Sequence, residues 1–519
     1  MTIAPQHAPA RAAPMTGVAS RVPSPRVMDV VPLPSWAIVL GALGATAVAG
    51  FFAVRSPVAG LAVVVAVAAG LYLAQRPVLL ALAMVALVPV TSGLRRGLPV
   101  PSLKFSEVLT VFAALIVLGF AARYLPGPRW RAWDWAALAY CLGAAGFGVL
   151  NSALQQTIIT AEDITTMVGP MQFLLLYRVV TAAFPTRHLR VIALRALLLA
   201  SIPVSLLAIA QLVGPAFFQN LAVSLSGTGI FLTPGYDPVM RATSVFPMWH
   251  PLGGYLVVIA LLAVALLLKR DTTVLSTWWL LGVLGLACIS LVFTLTATIL
   301  AGLVLGVLVV GWAIKRLRLV LTWLVVGGGI GLVVFFPLVV GRITEQSTAT
   351  RATPSAGDSI IPQTVLYRWI VWSDQYLPAL SGMWVTGFGP ADPPGISWDH
   401  TESGYITLLL RGGIPYLVIG GVVVYLSWRA ARRRLLTADS APEIAIAATV
   451  MGIAAISPVI NFFFPYLTAS GMPQPMWVVW GLLAAAIGAE DLRRGDRVGR
   501  SDQQREATRR PAVEPLRAM

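Results

Sequence analysis

Long apolar runs divided by short polar breaks set the rhythm of this chain. A helix needs roughly 20 apolar residues to cross the hydrocarbon of a bilayer. Fourteen segments qualify: 35–54, 57–75, 77–92, 105–124, 134–150, 166–184, 189–213, 251–268, 274–293, 296–314, 319–340, 403–428, 444–464 and 474–489. The second and third are short and divided only by Arg76 and Pro77, so they read equally as half-helices, and the range is 12–14 spans. The pattern predicts an all-α polytopic membrane protein whose membrane domain covers 33–490. Residues 1–32, rich in Pro and Ala, and the basic segment 491–519 read as tails without a core. Two connections are long, about 214–250 and 341–402, and ordering a long loop costs entropy that a function has to justify.

Composition agrees with the pattern. The 519 residues are 57% hydrophobic and 11% charged, far below the ~25% charged typical of soluble domains. A net charge of +16 would point to nucleic acid in a soluble chain, but the basic residues lie in tails and short loops, where membrane topology accounts for them. With the N-terminus inside, Arg123/Arg129/Arg131, Arg187/Arg190, Lys269/Arg270, Lys315/Arg316/Arg318 and Arg429/Arg432/Arg433/Arg434 all become cytoplasmic. Both termini are then cytoplasmic and both long loops external. Arg95, Arg96 and Lys104 break the rule: either the early spans are miscounted or those charges attract an anionic ligand. Cys141 and Cys288 lie inside apolar runs, so bridges between external loops and thiolate metal sites are excluded.

Candidate chemistry collects in the two long loops. His250 and His400 each close one of them. The first loop ends RATSVFPMWHPLGGYL, in which Arg241 is either a headgroup-layer residue or an anion ligand, since a guanidinium fork matches phosphate oxygens. The second holds Arg342, Arg368 and Glu402. There Arg368, Trp372 and Gln375 fall at helical spacing, which predicts a short amphipathic helix at the interface. Trp372 and Trp398 belong either to a headgroup belt or to a sugar-stacking surface. Arg411 lies nine residues beyond Glu402, about 13 Å below the lip. An arginine at that depth faces the bundle interior, where it either pairs with protein groups or holds a ligand's phosphates.

These segments resemble those of the O-antigen ligase and polymerase superfamily, membrane glycosyltransferases that use glycans linked to undecaprenyl diphosphate. The resemblance covers roughly 105–464 and rests on RATSVFPMWHPLGGYL, on Arg368 with Trp372 followed by GFG, and on ESGYITLLLRGGIPY. In the last segment Ser403, Gly413 and Tyr416 fit the ligase pattern, while Glu402 stands where the family carries a histidine. TLTAT at 294–298 lacks the family's arginine, and Leu252 replaces an asparagine. The resemblance implies inverting, metal-independent transfer of a glycan from a polyprenyl diphosphate to a glycan or lipid acceptor, at the outer face of the cytoplasmic membrane. It implies no cofactor and leaves room for other envelope-assembly proteins as partners. Arg241, Arg368, Arg411 and Arg342 would hold the diphosphate, and Glu402, His400 and His250 would handle the proton. Ligase and polymerase share these motifs. A transporter or flippase for lipid-linked sugars would show repeated halves, and a non-catalytic assembly scaffold gains from the missing histidine and arginine.

Overall fold

The structure, a computed structural model, describes residues 68–96, 104–124, 130–156, 158–227, 241–348, 363–390 and 401–509. The chain divides at Arg76 into two units. In the first, the described residues 68–76 end a helix, with Arg76 lying 4.5 Å over the Tyr72 ring. The second, Pro77–Met519, carries everything that follows.

This unit is all-α among the described residues: α1 Pro77–Thr91, α2 Phe105–Tyr124, α3 Ala132–Gln155, α4 Ala161–Val168, α5 Met171–Ala183, α6 Arg187–Val213, α7 Ala216–Ser226, α8 Trp249–Leu268, α9 Thr277–Phe293, α10 Ala297–Ala313, α11 Leu317–Val334, α12 Phe336–Thr348, α13 Gln363–Val371, α14 Gly404–Thr437, α15 Ala441–Asn461 and α16 Pro473–Arg509. Among the described residues, eight helices are long and apolar enough to cross a membrane, α4 and α5 counting as one because Gly169 and Pro170 keep helical backbone between them, and α1, α9 and α10 are shorter apolar helices. The protein is an all-α polytopic membrane protein. Each of the twelve expected spans from 77 onward is helical; 35–54 and most of 57–75 fall outside the described residues. Two boundaries differ from expectation. The segment 319–340 is split at Phe335, and α16 continues through the basic segment to Arg509, because a formed helix propagates more easily than it nucleates.

Burial ranks the helices. The apolar window of α8 is 94% buried and that of α11 only 6%, so α8 is the axis of the bundle and α11 exposes aliphatic side chains on all sides, as lipid permits.

The helices have two chemically distinct ends. At one, Arg190 of α6 meets Glu443 of α15 at 2.5 Å, and Arg434 of α14 bridges Glu443 and Glu490. Arg131 reaches Asp491 at 2.7 Å, Arg195 donates to the Val274 carbonyl at 2.7 Å, and Trp312 stacks on Trp428. The basic short loops thus converge. Pairing Arg190 matters, since a buried guanidinium without a counter-charge would be costly. The opposite end carries 92–96, Lys104, 241–250, 401–404 and 461–472.

One helix is broken. At Gly412 and Gly413 the backbone of α14 leaves helical geometry, with Gly413 at φ 64°, a left-handed conformation that favours glycine. The groups freed by the break are taken up by the preceding loop. Phe388 N–H donates to the Leu410 carbonyl at 2.5 Å and Ile414 N–H to the Trp384 carbonyl at 2.7 Å. Irregular backbone at membrane depth is tolerated where protein covers it in this way.

Candidate functional site

The site grows from two segments that the sequence keeps more than 100 residues apart. In the first, Arg241–Phe246 is fixed to α6 and α9. Gln211 Oε1 accepts from the backbone N–H groups of Thr243 and Ser244 at 3.0 and 2.9 Å, and Ala242 N–H donates to the Phe293 carbonyl at 3.0 Å. This anchoring holds Arg241, which is buried, with its guanidinium 4.4 Å over the Trp249 ring. His250 follows in the first turn of α8.

In the second segment α13 presents Arg368 in its last turn and runs into a π turn, Trp372–Tyr376. The Trp372 indole N–H donates to the Thr401 carbonyl at 3.0 Å. On the far side of Glu402, Ser403 packs against Asn461 and its carbonyl accepts the first bond of α14, from Thr407 N–H. Glu402 is therefore pinned between two fixed neighbours and adopts φ 45°, a left-handed backbone that costs a non-glycine residue of order 1 kcal/mol or more. Its carboxylate meets Arg368 at 2.7 Å, the two side chains being 27% and 14% exposed.

The run FFFPY, 462–466, joins the two segments. Phe462 packs edge-on against Trp372 with centroids 5.0 Å apart; Phe463 lies 6.0 Å below the Arg368 guanidinium. Phe464 stacks face to face on His250 at 4.4 Å, and Tyr466 lies 6.4 Å from the same imidazole. Tyr466 is 1% exposed, and its hydroxyl makes no hydrogen bond of normal geometry among the described residues. Burial pushes its phenol up, with Thr298 and the Arg368 charge offsetting part of that. Close approach here needs Gly254, since a Cβ on it would come within 2.8 Å of Met472 and 3.1 Å of Tyr466.

Lys104 belongs to the same end. Its ammonium donates to Ser470 Oγ at 3.0 Å and to the Ser92 carbonyl at 3.2 Å, and Ser470 precedes Gly471, which is packed on Pro251. Burial and the neighbouring Arg96 charge lower its pKa.

The structure thus brings Arg241, His250, Arg368 and Glu402 to one end of the bundle around an aromatic hub. Arg411 is not part of this cluster. It ends the first half of α14, beside the break, where the helix dipole favours a cation, and its charge reaches Tyr140 and Tyr416. Trp372 corrects a sequence expectation: it is 6% exposed with its N–H and ring both engaged, so it braces the loop and offers no open face to a sugar or headgroup. His400 and Trp398 lie outside the described residues, as does the side chain of Arg342. Sequence reasoning missed Tyr466 and its phenylalanine neighbours, which read as the end of an apolar span. Lys104 had a signal in its violation of the charge rule.

No protein-family model and no curated protein matches this chain.

Proposed function

We propose that this protein is a membrane glycosyltransferase that moves a glycan from a polyprenyl-diphosphate donor onto a hydroxyl acceptor at the outer face of the cytoplasmic membrane. The observation that carries this reading is the contact of Arg368 with Glu402 at 2.7 Å, in a cluster with Arg241 and His250 at the end of the bundle away from the basic loops. Guanidinium groups suit a diphosphate leaving group, on which negative charge grows during transfer. A carboxylate beside them suits proton removal from the acceptor.

The contact also suggests an order of events. With no donor bound, Arg368 occupies Glu402. A diphosphate competes for the same guanidinium and releases the carboxylate as it binds. The acceptor oxygen then attacks the anomeric carbon, Glu402 takes its proton, and the carbon–oxygen bond to the diphosphate breaks with its electron pair leaving on phosphate. The products are an inverted glycoside and polyprenyl diphosphate. His250, held flat on Phe464, positions the acceptor or assists the proton.

The test measures the pool of polyprenyl-diphosphate-linked glycan in host cells lacking the protein, complemented with wild type, Glu402→Gln or Arg368→Gln at equal expression. Clearance by wild type, with accumulation in both variants as in the null strain, is expected. Clearance by Glu402→Gln would remove it as the base. The break in α14 favours a second reading, since lipid and ion transporters build their sites on discontinuous helices. Translocation of a labelled lipid-linked glycan across proteoliposomes, without formation of a glycoside product, would select that reading.

A further inference from the structure

A groove runs between α14 and α15 with a volume of about 310 Å³, within the range of pockets that hold small ligands. Its mouth is formed by Gly404, Tyr405 and Asn461, and its floor continues past Gly421 and Tyr425 to Trp428. Among the described residues, no charged one lines it. It is partly open, and Gly421 in its lining is exposed. The Tyr405 hydroxyl donates to the Pro458 carbonyl at 2.6 Å and ties the two helices together near the mouth.

The position of that mouth decides what the groove can take. Gly404 is two residues after Glu402, and Asn461 directly precedes the Phe462–Phe464 run that supports Arg368 and His250. Both walls therefore start at the polar cluster and descend into the span. Gly404 and Trp428 lie on the two halves of α14, so the groove passes from the polar cluster across the break and along the second half of the helix. Gly420 is packed, a Cβ there meeting Leu408 at 3.2 Å, whereas a Cβ on Gly421 would meet nothing within 4 Å. The groove is thus left open at Gly421.

We propose that this groove seats the polyprenyl tail of the lipid donor, with the phosphates at Arg368 and the chain running down between α14 and α15 past Gly421. This rests on the transferase reading for the identity of the headgroup. The apolar lining and the continuity with the polar cluster define the ligand class: an amphiphile with an anionic phosphate head and a long apolar chain. An ordinary phospholipid acyl chain is the competing occupant.

The experiment uses the full chain in proteoliposomes with two donors of identical glycan and diphosphate, one with a long polyprenyl tail and one with a prenyl tail too short to reach Gly421. Wild type is expected to show the lower KM for the long-tailed donor. Gly421→Leu, which fills open space, is expected to raise that KM about tenfold, the effect of losing roughly two buried CH₂ groups, and to bring it near the short-tailed value. Val333→Leu, on α11 and exposed away from the groove, should leave the ratio as in wild type. An unchanged ratio in Gly421→Leu overturns the proposal. A second measurement separates it from the parent reading: a photoreactive polyprenyl phosphate without glycan is crosslinked and the labelled peptides mapped. Labelling at Tyr405 or Tyr425 that is lost in Gly421→Leu supports the groove even if no donor is turned over, in which case the transferase reading alone fails. Labelling that excess phosphatidylcholine abolishes identifies a general lipid contact and overturns the proposal.

Discussion

Glu402 combines three properties that seldom meet in one residue: a carboxylate at the rim of an apolar bundle, an arginine at 2.7 Å, and a left-handed backbone at φ 45°. The first was readable in the sequence, because a carboxylate just before a long apolar run is conspicuous. The other two depend on residues 34 and 30 positions away, Arg368 and Trp372, and on the bond from Trp372 to the Thr401 carbonyl. Backbone strain at a polar cluster is a pointer to function when the surrounding bonds enforce it. The strain also makes a prediction that separates stability from chemistry. Glu402→Ala keeps a Cβ in the left-handed region, while Glu402→Gly removes it, so the glycine variant should be the more stable by about 1 kcal/mol. Both should fail to clear the donor. Thermal melting of the purified variants in detergent checks the order; an alanine variant that melts above the glycine variant would show that φ at 402 relaxes without the Arg368 contact.

At the scale of elements, the helices follow the apolar pattern because burial within the bundle and exposure to lipid both favour apolar residues, so span positions were readable without knowing their neighbours. What the pattern could not reveal was a break inside a span. ESGYITLLLRGGIPY reads as one continuous helix that tolerates two glycines, and GFG at 387–389 reads as a turn. In the structure each completes the other: the loop satisfies the groups released at Gly412–Gly413 through Phe388 and Ile414. The aromatic hub was hidden for a related reason, since FFFPY is apolar and merges with α15 until its contacts are seen. Gly413→Ala should therefore be costly twice, once for its φ of 64° and once because the new Cβ collides with the Trp384 carbonyl and Val385. The expected outcome is a destabilisation of at least ~1–2 kcal/mol. Amide exchange should speed up at Phe388 and Ile414 while the middle of α8, buried at the bundle axis, keeps wild-type protection. Uniformly faster exchange across α8 and α14 would mean that the loop and the break are not a local unit.

For the whole molecule, the two ends differ in how their cations are held. Arg187, Arg270, Lys315, Arg316, Arg318, Arg429, Arg432 and Arg433 are exposed at the end fastened by Arg190, Glu443, Arg434 and Glu490, where they can meet anionic headgroups. At the other end Arg241 is buried over Trp249, Arg368 is paired with Glu402, Arg96 reaches Glu107 at 3.5 Å, and Lys104 is bonded to Ser470. These cations have protein partners, and under the proposed orientation that pairing is what lets Arg96 and Lys104 sit at an external end against the charge rule of loops. The proposed reaction requires the basic end to be cytoplasmic and the Glu402 end external. That orientation can be tested with single cysteines in a chain whose Cys141 and Cys288 are replaced by alanine. Trp369 is 62% exposed one residue from Arg368, and Leu436 is 84% exposed two residues from Arg434. A membrane-impermeant maleimide applied to intact cells should label Trp369→Cys at once, and Leu436→Cys only after the membrane is permeabilised. The opposite pattern would turn the cluster toward the cytoplasm and end the case for transfer at the outer face, whereas labelling of both sites in intact cells would mean that the bundle does not seal the membrane between its two ends.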